Sequence, residues 1–388
     1  MKKEKNFSIP YGRQFIDKQD INSVIKTLKS DYLTQGPKVD ELEEKFSSLV
    51  KSKYCVAVNS ATSGLHIAQL ALGIDKKSIV WTTSNTFVAT SNTALLCGAK
   101  IDFVDIDQKT NNISIPELRR KLIKAKDNNC LPDLVIPVHL TGLSCDMREI
   151  FKLSKEFNFK IIEDASHAIG AKYQNENVGC CSYSDMAVFS LHPVKIVTSG
   201  EGGLITTNSE SIYKKLLMLR SHGITKSKND FRDSFVPDWY YQQQNLGLNY
   251  RMTDISASLC ISQLDKLDDF IKKRHQIANF YDERLDGDNF EKPCMEVNKD
   301  SSFHLYVVKI PKNRDKLLFY LKENGIYTTL HYYPVYLQPF YEALDFKKGI
   351  NPLSEKYGHE ALSLPIYPDL KLKDLKKVVE ILNNFFNK

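Results

Sequence analysis

Short apolar segments alternate with helical patterns through the first half of the chain, and this alternation constrains the fold most. Apolar runs fall at 54–58, 79–82, 101–104, 134–138, 159–162, 187–191 and 203–206. Helical patterns lie between most of the earlier runs, at 63–73, 86–97, 115–125 and 147–156. Strands that alternate with helices favour a parallel sheet, and uninterrupted apolar runs fit strands covered on both faces. We therefore predict an α/β protein with a large, doubly wound, mostly parallel sheet built from these seven runs.

The rest of the chain predicts a second, smaller domain. The length of 388 residues suits two domains. A helical pattern runs unbroken from Met252 to Leu285, with Thr253 as its predicted N-cap. A strand is predicted at 303–310, and helices are predicted at 314–324 and 373–387. The predicted organisation is an N-terminal arm (1–14), a large domain (15–250), and a linking helix with a small α+β domain (251–388).

Composition argues against several classes of protein. The net charge is +6 and the charges of both signs are interleaved, which predicts a solvated surface and no nucleic-acid partner. No apolar run approaches the ~20 residues that a membrane span needs, and the basic start lacks the apolar region of a secretory signal. The eight cysteines form no CxxC pair and have no zinc-site spacing. We expect reduced thiols, a cytoplasmic protein and no metal.

Polar loops follow several of the predicted strands, where ligands bind in open α/β sheets. Asn59-Ser60-Ala61-Thr62-Ser63-Gly64 leads from the first strand into a helix, so its hydroxyls and free amides could bind an anion or act only as an N-cap. The chain has no G-x-G-x-x-G and no G-x-x-x-x-G-K-[ST] motif, so dinucleotide and P-loop sites lose their main support. The fifth strand ends in Glu163-Asp164-Ala165-Ser166-His167, whose Asp and His could serve as a metal pair, an acid/base pair, a cofactor anchor or a helix cap.

Lys195 lies in a loop of small residues between two apolar strands, with few carboxylates nearby beyond Glu201. A desolvated lysine has a lowered pKa and can act as a Schiff-base nucleophile. A pyridoxal 5'-phosphate (PLP) site needs hydroxyls for the phosphate, an Asp for the pyridinium nitrogen and a Lys for the covalent bond. Those three features follow one another here, each at a strand end, so the sequence favours a PLP site.

Six motifs in order carry a resemblance to a known family: VNSATSGLHIAQLALG, TTSNTFVATSNTALLCGAKIDFVDID, IIEDASHAIGA, FSLHPVKIVTSGEGG, LRSHG and LGLNYRMTDISASLCISQL. Over nearly its whole length the chain strongly resembles the sugar-nucleotide aminotransferases of the DegT–StrS family. Members have the fold of aspartate aminotransferase, which is PLP-dependent transferase fold type I. The chain departs from the family's usual pattern at Ser84 and Ile196, where relatives often have Pro.

The resemblance implies roles for the cofactor-binding residues. Lys195 is expected to carry PLP and then act as the base and acid of the proton shift. Asp164 is expected to pair with the pyridine N–H, and His167 to lie near the phenolic oxygen. Phe87 is expected to stack on the ring, although an ordinary core aromatic is the competing interpretation. The residues expected to meet the phosphate are Ala61, Thr62 and Ser190, together with Asn249 lent by a neighbouring subunit. That last role predicts a homodimer with shared active sites.

The resemblance also implies substrates. L-Glutamate is the usual amino donor. The chain looks most like a subfamily that makes UDP-4-amino-4,6-dideoxy-N-acetyl-β-L-altrosamine, an intermediate toward pseudaminic acid and cell-surface polysaccharide. By that resemblance the residues expected to bind the sugar nucleotide are Tyr11, Asp31, Tyr32, Leu33, Thr34, Leu330, His331, Tyr332 and Tyr333. For the last four, packing of a tyrosine-rich segment is an equal alternative.

Four alternatives to this function stay open. Another keto-sugar nucleotide, such as a dTDP-linked 3- or 4-keto-6-deoxyhexose, could be the substrate. Dehydratase relatives carry His in place of the lysine, so Lys195 favours transamination over dehydration; a regulator on the same fold would be expected to carry a DNA-binding segment. A nucleotide-sugar binding module explains the anion loops but leaves Lys195 and Asp164 without a role.

Overall fold

The computed structural model of the protein describes residues 8–232, 237–285, 287–294 and 299–386, so residues 1–7 of the predicted arm lie outside it. The helices are α1 Lys18–Leu28, α2 Pro37–Val50, α3 Ala61–Ala71, α4 Ala89–Leu96, α5 Ile115–Asp127, α6 Met147–Phe157, α7 Glu210–Leu219, α8 Asp254–Leu264, α9 Leu267–Arg284, α10 Arg314–Glu323, α11 Pro339–Glu342, α12 Pro352–Glu360 and α13 Leu372–Phe386. Within the described ranges, no helix combines the length and the apolar character that crossing a membrane requires.

Several of the strands are only two residues long. They are β1 Tyr54–Val58, β2 Ile79–Thr83, β3 Lys100–Val104, β4 Leu134–Ile136, β5 Lys160–Asp164, β6 Lys172–Tyr173, β7 Glu176–Asn177, β8 Met186–Ser190, β9 Gly203–Thr207, β10 Ile224–Thr225, β11 Gln242–Gln243, β12 Lys299–Asp300, β13 Tyr306–Lys309 and β14 Ala361–Leu364. Each of the seven apolar runs predicted as strands overlaps one of the long strands of the large sheet.

The large sheet has seven strands in the order β1-β9-β8-β5-β4-β2-β3. Strand β9 runs antiparallel to both of its neighbours, and the other paired strands are parallel. Apolar clusters cover both faces: Phe46 and Phe189 belong to one, and Val188 and Ile205 belong to the other. The strands are buried on both faces because helices pack on each side, which confirms the predicted doubly wound, mostly parallel sheet.

The long helix predicted from Met252 to Leu285 is wrong in one respect, because the structure divides it into α8 and α9. Thr253 is the N-cap of α8, and its side chain accepts a hydrogen bond from the amide of Ser256. Lys266 lies in the break, and its Nζ pairs with Asp17 at 2.9 Å and with Asp20 at 2.7 Å. These contacts with α1 join residues far apart in sequence, so helical periodicity could not reveal the break.

The C-terminal part packs around its own apolar cluster. Strands β13 and β14 pair antiparallel, and α9, α10 and α13 contribute buried side chains such as Tyr281, Leu317 and Val378. The N-terminal segment joins this unit, because the Ile9 amide donates to the carbonyl of Gly325 at 2.9 Å. The parallel strands β5 and β8 end side by side at Asp164 and Ser190. The polar loops therefore meet at one edge of the sheet, beside the C-terminal part.

Candidate active site

A cavity of about 430 Å³ lies at the carboxyl ends of the parallel strands. Residues from both parts of the chain line it: Tyr11, Ser60, Ala61, Thr62, Leu65, Thr86, Phe87, Ala89, Thr90, Val138, Asp164, Ser166, His167, Ser190, His192, Val194, Lys195, Glu201, His304, His331 and Tyr332. A volume of this size is typical of small-molecule and cofactor sites. Ten of the residues predicted from the sequence thus lie around a single cavity.

One end of the cavity is the N-terminus of α3. Ser60 caps this helix by accepting a hydrogen bond from the Ser63 amide at 3.0 Å, so the amides of Ala61 and Thr62 lie in the first turn, where no intrahelical acceptor exists. Ser190 ends β8 beside them. A Cβ on Gly203 would lie 2.7 Å from the Ala61 nitrogen, so only glycine allows β9 to pack this closely. The arrangement suits a phosphate group.

Asp164 lies at the inner end of the cavity, and its carboxylate is held on both oxygens. Thr90 Oγ1 donates to Oδ2 at 2.7 Å, and the Ser166 amide donates to Oδ1 at 3.1 Å. Thr86 and Thr90 share a further hydrogen bond of 2.7 Å. Asp164 is only 4% exposed, so these bonds keep a buried carboxylate in one orientation.

Lys195 lines the cavity, and its Nζ makes no hydrogen bond or ion pair with any residue that the structure describes. Burial lowers the pKa of Lys195 to about 8. The nearby Asp164 carboxylate raises this pKa, but its effect is smaller than that of burial. A larger fraction of this amine is neutral near physiological pH than for an exposed lysine. A neutral, unpaired amine in a cavity is the state that attacks a carbonyl group.

His167 is fixed by its surroundings in one neutral form. Its Nδ1 accepts a hydrogen bond from the Thr141 amide at 3.3 Å, so the proton must lie on Nε2, 3.2 Å from the Tyr332 hydroxyl. Burial first, and then the neighbouring Lys195 and His331 side chains, hold the pKa of His167 well below its usual value. His167 is therefore uncharged, and its N–H is directed at the Tyr332 hydroxyl.

Aromatic side chains form the outer wall. Phe87 is 57% exposed, so the interpretation of Phe87 as a core aromatic is wrong, and its open face lines the cavity. Its ring lies 6.0 Å from that of Tyr332. Tyr11 and His331 pack with ring centroids 5.0 Å apart, and burial lowers the pKa of His331 to about 4, with a smaller effect of Lys195.

The remaining predicted site residues lie outside the cavity. These are Asp31, Tyr32, Leu33, Thr34, Asn249, Leu330 and Tyr333. The loop before α2 is exposed and lies against α8, where the Asp254 amide donates to the Leu33 carbonyl at 3.0 Å. Asn249 is also exposed, on a segment that pairs with Ser221. Their roles stay predictions, because each could act on a site of a second subunit.

Several cavity residues were not identified from the sequence. Thr86 and Thr90 stand one helical turn apart in the quoted motif TTSNTFVATSN, and that spacing was the available signal. His304 gave no signal, because it stands in the apolar run FHLYVVKI and reads as part of a strand. For Ser60, the sequence indicated only membership of the polar loop 59–64, with no separate role.

A larger groove of about 800 Å³ runs along the free edge of β3, away from the predicted site residues. Several of its charges are paired: Lys121 contacts Asp102 at 2.7 Å, and Arg120 contacts Glu117 at 2.7 Å. Lys121 also donates to the Phe103 carbonyl at 2.5 Å, which covers the exposed strand edge. Paired charges and a capped edge do not form a chemical site, so we place the chemistry in the smaller cavity.

Comparisons with known proteins agree with this geometry. The sequence model of the DegT/DnrJ/EryC1/StrS aminotransferase family matches residues 14–383. The chain is 38% identical over 385 residues to the UDP-4-amino-4,6-dideoxy-N-acetyl-beta-L-altrosamine transaminase of Campylobacter jejuni, covering 98% of each protein.

Solved structures are similar along the whole chain. Helicobacter pylori PseC, an aminotransferase involved in pseudaminic acid biosynthesis, is 29% identical with a TM-score of 0.89, covering 98% of this chain and all (100%) of that one. The PLP-form of the putative sugar aminotransferase Spr1654 from Streptococcus pneumoniae is 26% identical with a TM-score of 0.87, covering 97% of this chain and 98% of that one.

Proposed function

The chain belongs to the DegT/DnrJ/EryC1/StrS aminotransferase family, and from this premise we propose which sugar nucleotide it aminates and which residues do so. The family and its solved members make it a PLP-dependent aminotransferase of sugar nucleotides. The proposed reaction takes the amino group of L-glutamate and gives it to a UDP-linked 4-keto-6-deoxy-N-acetylhexosamine. The products are UDP-4-amino-4,6-dideoxy-N-acetyl-β-L-altrosamine and 2-oxoglutarate.

The residues around the cavity fit PLP. Hydroxyls and helix amides stand at one end, a buried carboxylate at the other, and an unpaired amine of lowered pKa on the wall. Gly203 lets β9 pack closely against the first turn of α3, because a Cβ there would lie 2.7 Å from the Ala61 nitrogen. When bound, PLP supplies an electron-accepting ring that stabilises negative charge at the carbon bearing the nitrogen.

The residues of the cavity have separate proposed roles in binding PLP and in moving the proton. In the proposed arrangement Asp164 holds a proton on the pyridine nitrogen, and Ala61, Thr62 and Ser190 bind the phosphate. His167 would lie near the phenolic oxygen, with Tyr332 at its Nε2, and Phe87 would cover the open face of the ring. Lys195 would hold the cofactor covalently, and its amine, when free, would move a proton between the α-carbon of the donor and the cofactor carbon that bears the nitrogen. One observation carries this assignment: Lys195 has no hydrogen-bond or ion-pair partner among the described residues, and it lies near the Asp164 carboxylate, which hydrogen bonds keep in place.

The choice of sugar rests on the relatives. The Campylobacter jejuni protein is named as the altrosamine transaminase, and the Helicobacter pylori structure is of an enzyme of pseudaminic acid biosynthesis. A Bacillus subtilis protein named for spore coat polysaccharide biosynthesis is also 33% identical. The second candidate is therefore amination of another keto-sugar nucleotide, such as a dTDP-linked 3- or 4-keto-6-deoxyhexose. Pocket contacts, more than the catalytic groups, decide between such substrates.

A homodimer with shared active sites, in the cytoplasm, is part of the same proposal. Helix α1 exposes Ile21, Ile25 and Leu28 on its surface, each between 41% and 54% exposed. Leu246, three residues before Asn249, is 84% exposed. Apolar side chains this open favour a covered surface in the assembly. A second copy of the chain would cover them and bring Asn249 to the partner's phosphate site.

The test uses the purified protein loaded with PLP. Adding L-glutamate should abolish the visible absorbance of the lysine-bound cofactor and release one 2-oxoglutarate for each cofactor. Candidate UDP- and dTDP-linked keto-sugars are then added separately, and mass spectrometry identifies the aminated product. A product formed fastest from the UDP-linked 4-keto sugar supports the first candidate, whereas a faster dTDP-sugar supports the second. No spectral response to glutamate would contradict the proposed amino donor.

A further inference from the structure

His304 lies in the cavity wall with a nitrogen that has no partner. The residue is only 3% exposed, and its enclosed Nδ1 makes no hydrogen bond within the described part of the chain. It lies two residues before β13, and the centroid of its ring is 4.4 Å from that of His167. Nothing in the proposed reaction yet uses this side chain, although it lines the cavity.

Arg274 packs behind His304 and is almost completely buried, at 1% exposed. Its Nη1 donates at 3.1 Å to the carbonyls of Phe303, His304 and Ile366, and no carboxylate pairs with it among the residues described. Burial lowers the pKa of Arg274 to about 9, which leaves it charged at neutral pH. A positive charge therefore stands behind the histidine, on the side away from the cavity.

These surroundings determine the state of the His304 ring. Burial first, and then the neighbouring side chains of His167, Lys195, Arg274 and His331, hold the pKa of His304 well below its usual value, so the ring is neutral. A neutral imidazole carries one proton, on Nδ1 or on Nε2. A buried N–H without an acceptor is less tolerable than an unused lone pair, and the nearby guanidinium also favours a lone pair. The proton therefore lies on Nε2, the nitrogen that can meet a ligand.

The ligand that fits this donor is a small anion. Among the residues lining the cavity there is no arginine, and the chemistry of Lys195 is already committed to the cofactor. The cavity of about 430 Å³ must also hold the cofactor, so the nucleotide of a sugar nucleotide has to extend beyond it. An amino acid is small enough to reach the inner wall. Its carboxylate is an acceptor for a neutral N–H in an electropositive environment.

We propose that the Nε2–H of His304 donates a hydrogen bond to a carboxylate of the L-glutamate amino donor. The assignment rests on the proposed function, because it names a binding residue for one of its two substrates. In this arrangement, Arg274 holds the histidine in the required tautomer from behind, without touching the ligand. His304 then helps to distinguish the amino acid from the sugar nucleotide, which shares the same cofactor.

The experiment measures binding of glutarate, a dicarboxylate without an amine, to the PLP-loaded enzyme by calorimetry, and the KM values for glutamate and for the keto-sugar. His304→Phe removes both nitrogens, and His304→Gln restores an N–H donor. His275→Phe is the matched control, because His275 bonds to the Ser301 carbonyl outside the cavity. We expect His304→Phe to weaken glutarate binding and to raise the KM for glutamate, each by about ten-fold or more. This is the effect expected for the loss of one hydrogen bond to a charged group.

The keto-sugar KM, the retained cofactor absorbance and the melting temperature of His304→Phe should stay near those of the wild type, and His304→Gln should recover most of the glutamate affinity. Unchanged glutarate and glutamate affinity in His304→Phe would overturn the inference. So would an equal loss for both substrates, or lost cofactor absorbance, since either indicates a structural role. Failure of the proposed function is separate: the wild type would then show no spectral response to glutamate at all.

Discussion

Thr90 donates a hydrogen bond of 2.7 Å from its Oγ1 to Oδ2 of Asp164, and this contact orients the carboxylate expected to meet the cofactor's pyridine nitrogen. Thr90 is fully buried, so water cannot replace its hydroxyl. The threonine lies on α4 and the aspartate at the end of β5, so the contact couples a helix to a strand of the large sheet.

Replacing Thr90 with valine keeps the shape and removes the hydroxyl. A hydrogen bond to a buried charged group contributes about 1.5–3 kcal/mol, so we expect Thr90→Val to weaken PLP binding by roughly ten-fold or more. Thr90→Ser retains the donor and should remain close to the wild type. Equilibrium titration of the apoenzyme with PLP measures the effect, and equal affinities for the two variants would contradict the role given to Thr90.

The rate at which the apoenzyme captures PLP should depend on pH through Lys195. Only the neutral amine attacks, and the pKa of this lysine is about 8. The rate should therefore rise about ten-fold per pH unit below pH 8 and level off above it. Asp164→Asn removes the charge that raises this pKa, so the plateau should begin at lower pH. Stopped-flow absorbance checks both profiles, and a rate still rising steeply at pH 10 would refute the lowered pKa.

Asp105 connects the large domain to α12, and its loss should destabilise the protein. Its carboxylate accepts hydrogen bonds from the Leu353 amide at 3.0 Å, the Ser354 amide at 2.8 Å and the Ser354 hydroxyl at 2.7 Å. Removing this buried cap by Asp105→Ala should lower the free energy of unfolding by about 2 kcal/mol or more. Asp105→Asn, which keeps one acceptor, should lower it less. Urea denaturation ranks the variants, and an unchanged Asp105→Ala midpoint would argue against the cap.

Mixed dimers test whether active sites are shared. Lys195→Ala and Asn249→Ala should each be impaired alone, because one lacks the amine and the other lacks the predicted phosphate ligand. If Asn249 acts on the partner's site, mixing the two variants under exchange conditions creates some sites with both residues intact. We expect activity to reappear on mixing. Activity that stays at the level of the separate proteins, with subunit exchange verified, would place Asn249 outside the partner's site.

The sequence was sufficient to predict the large sheet and to identify ten residues that the structure brings to one cavity. Each long strand is an apolar run because both of its faces are covered, and Asp164 and Lys195 stand where such strands end. Tyr11 and His331 were expected only through the family resemblance. The structure brings them together in the cavity wall, although they lie far apart in the chain.

What the sequence did not reveal depends on long-range contacts. At the break between α8 and α9, Lys266 pairs with Asp17 and Asp20, and nothing in the local pattern marks this position. Ser84, which stands where relatives often have Pro, donates to the Ser354 hydroxyl at 2.7 Å and so reaches α12. His304 was also missed because its contacts are long-range: only its burial against Arg274 and His167 distinguishes it from an ordinary histidine of a strand.

The central claim is that the nitrogen of L-glutamate passes to the keto carbon of a UDP-linked 4-keto-6-deoxy-N-acetylhexosamine at Lys195. The most direct measurement is the mass spectrum of the sugar nucleotide formed with glutamate that carries an isotopic label in its amino nitrogen. The account predicts a labelled amino sugar with the wild-type enzyme and no labelled product with Lys195→Ala. An unlabelled product from the wild type, or a labelled product from Lys195→Ala, would contradict it.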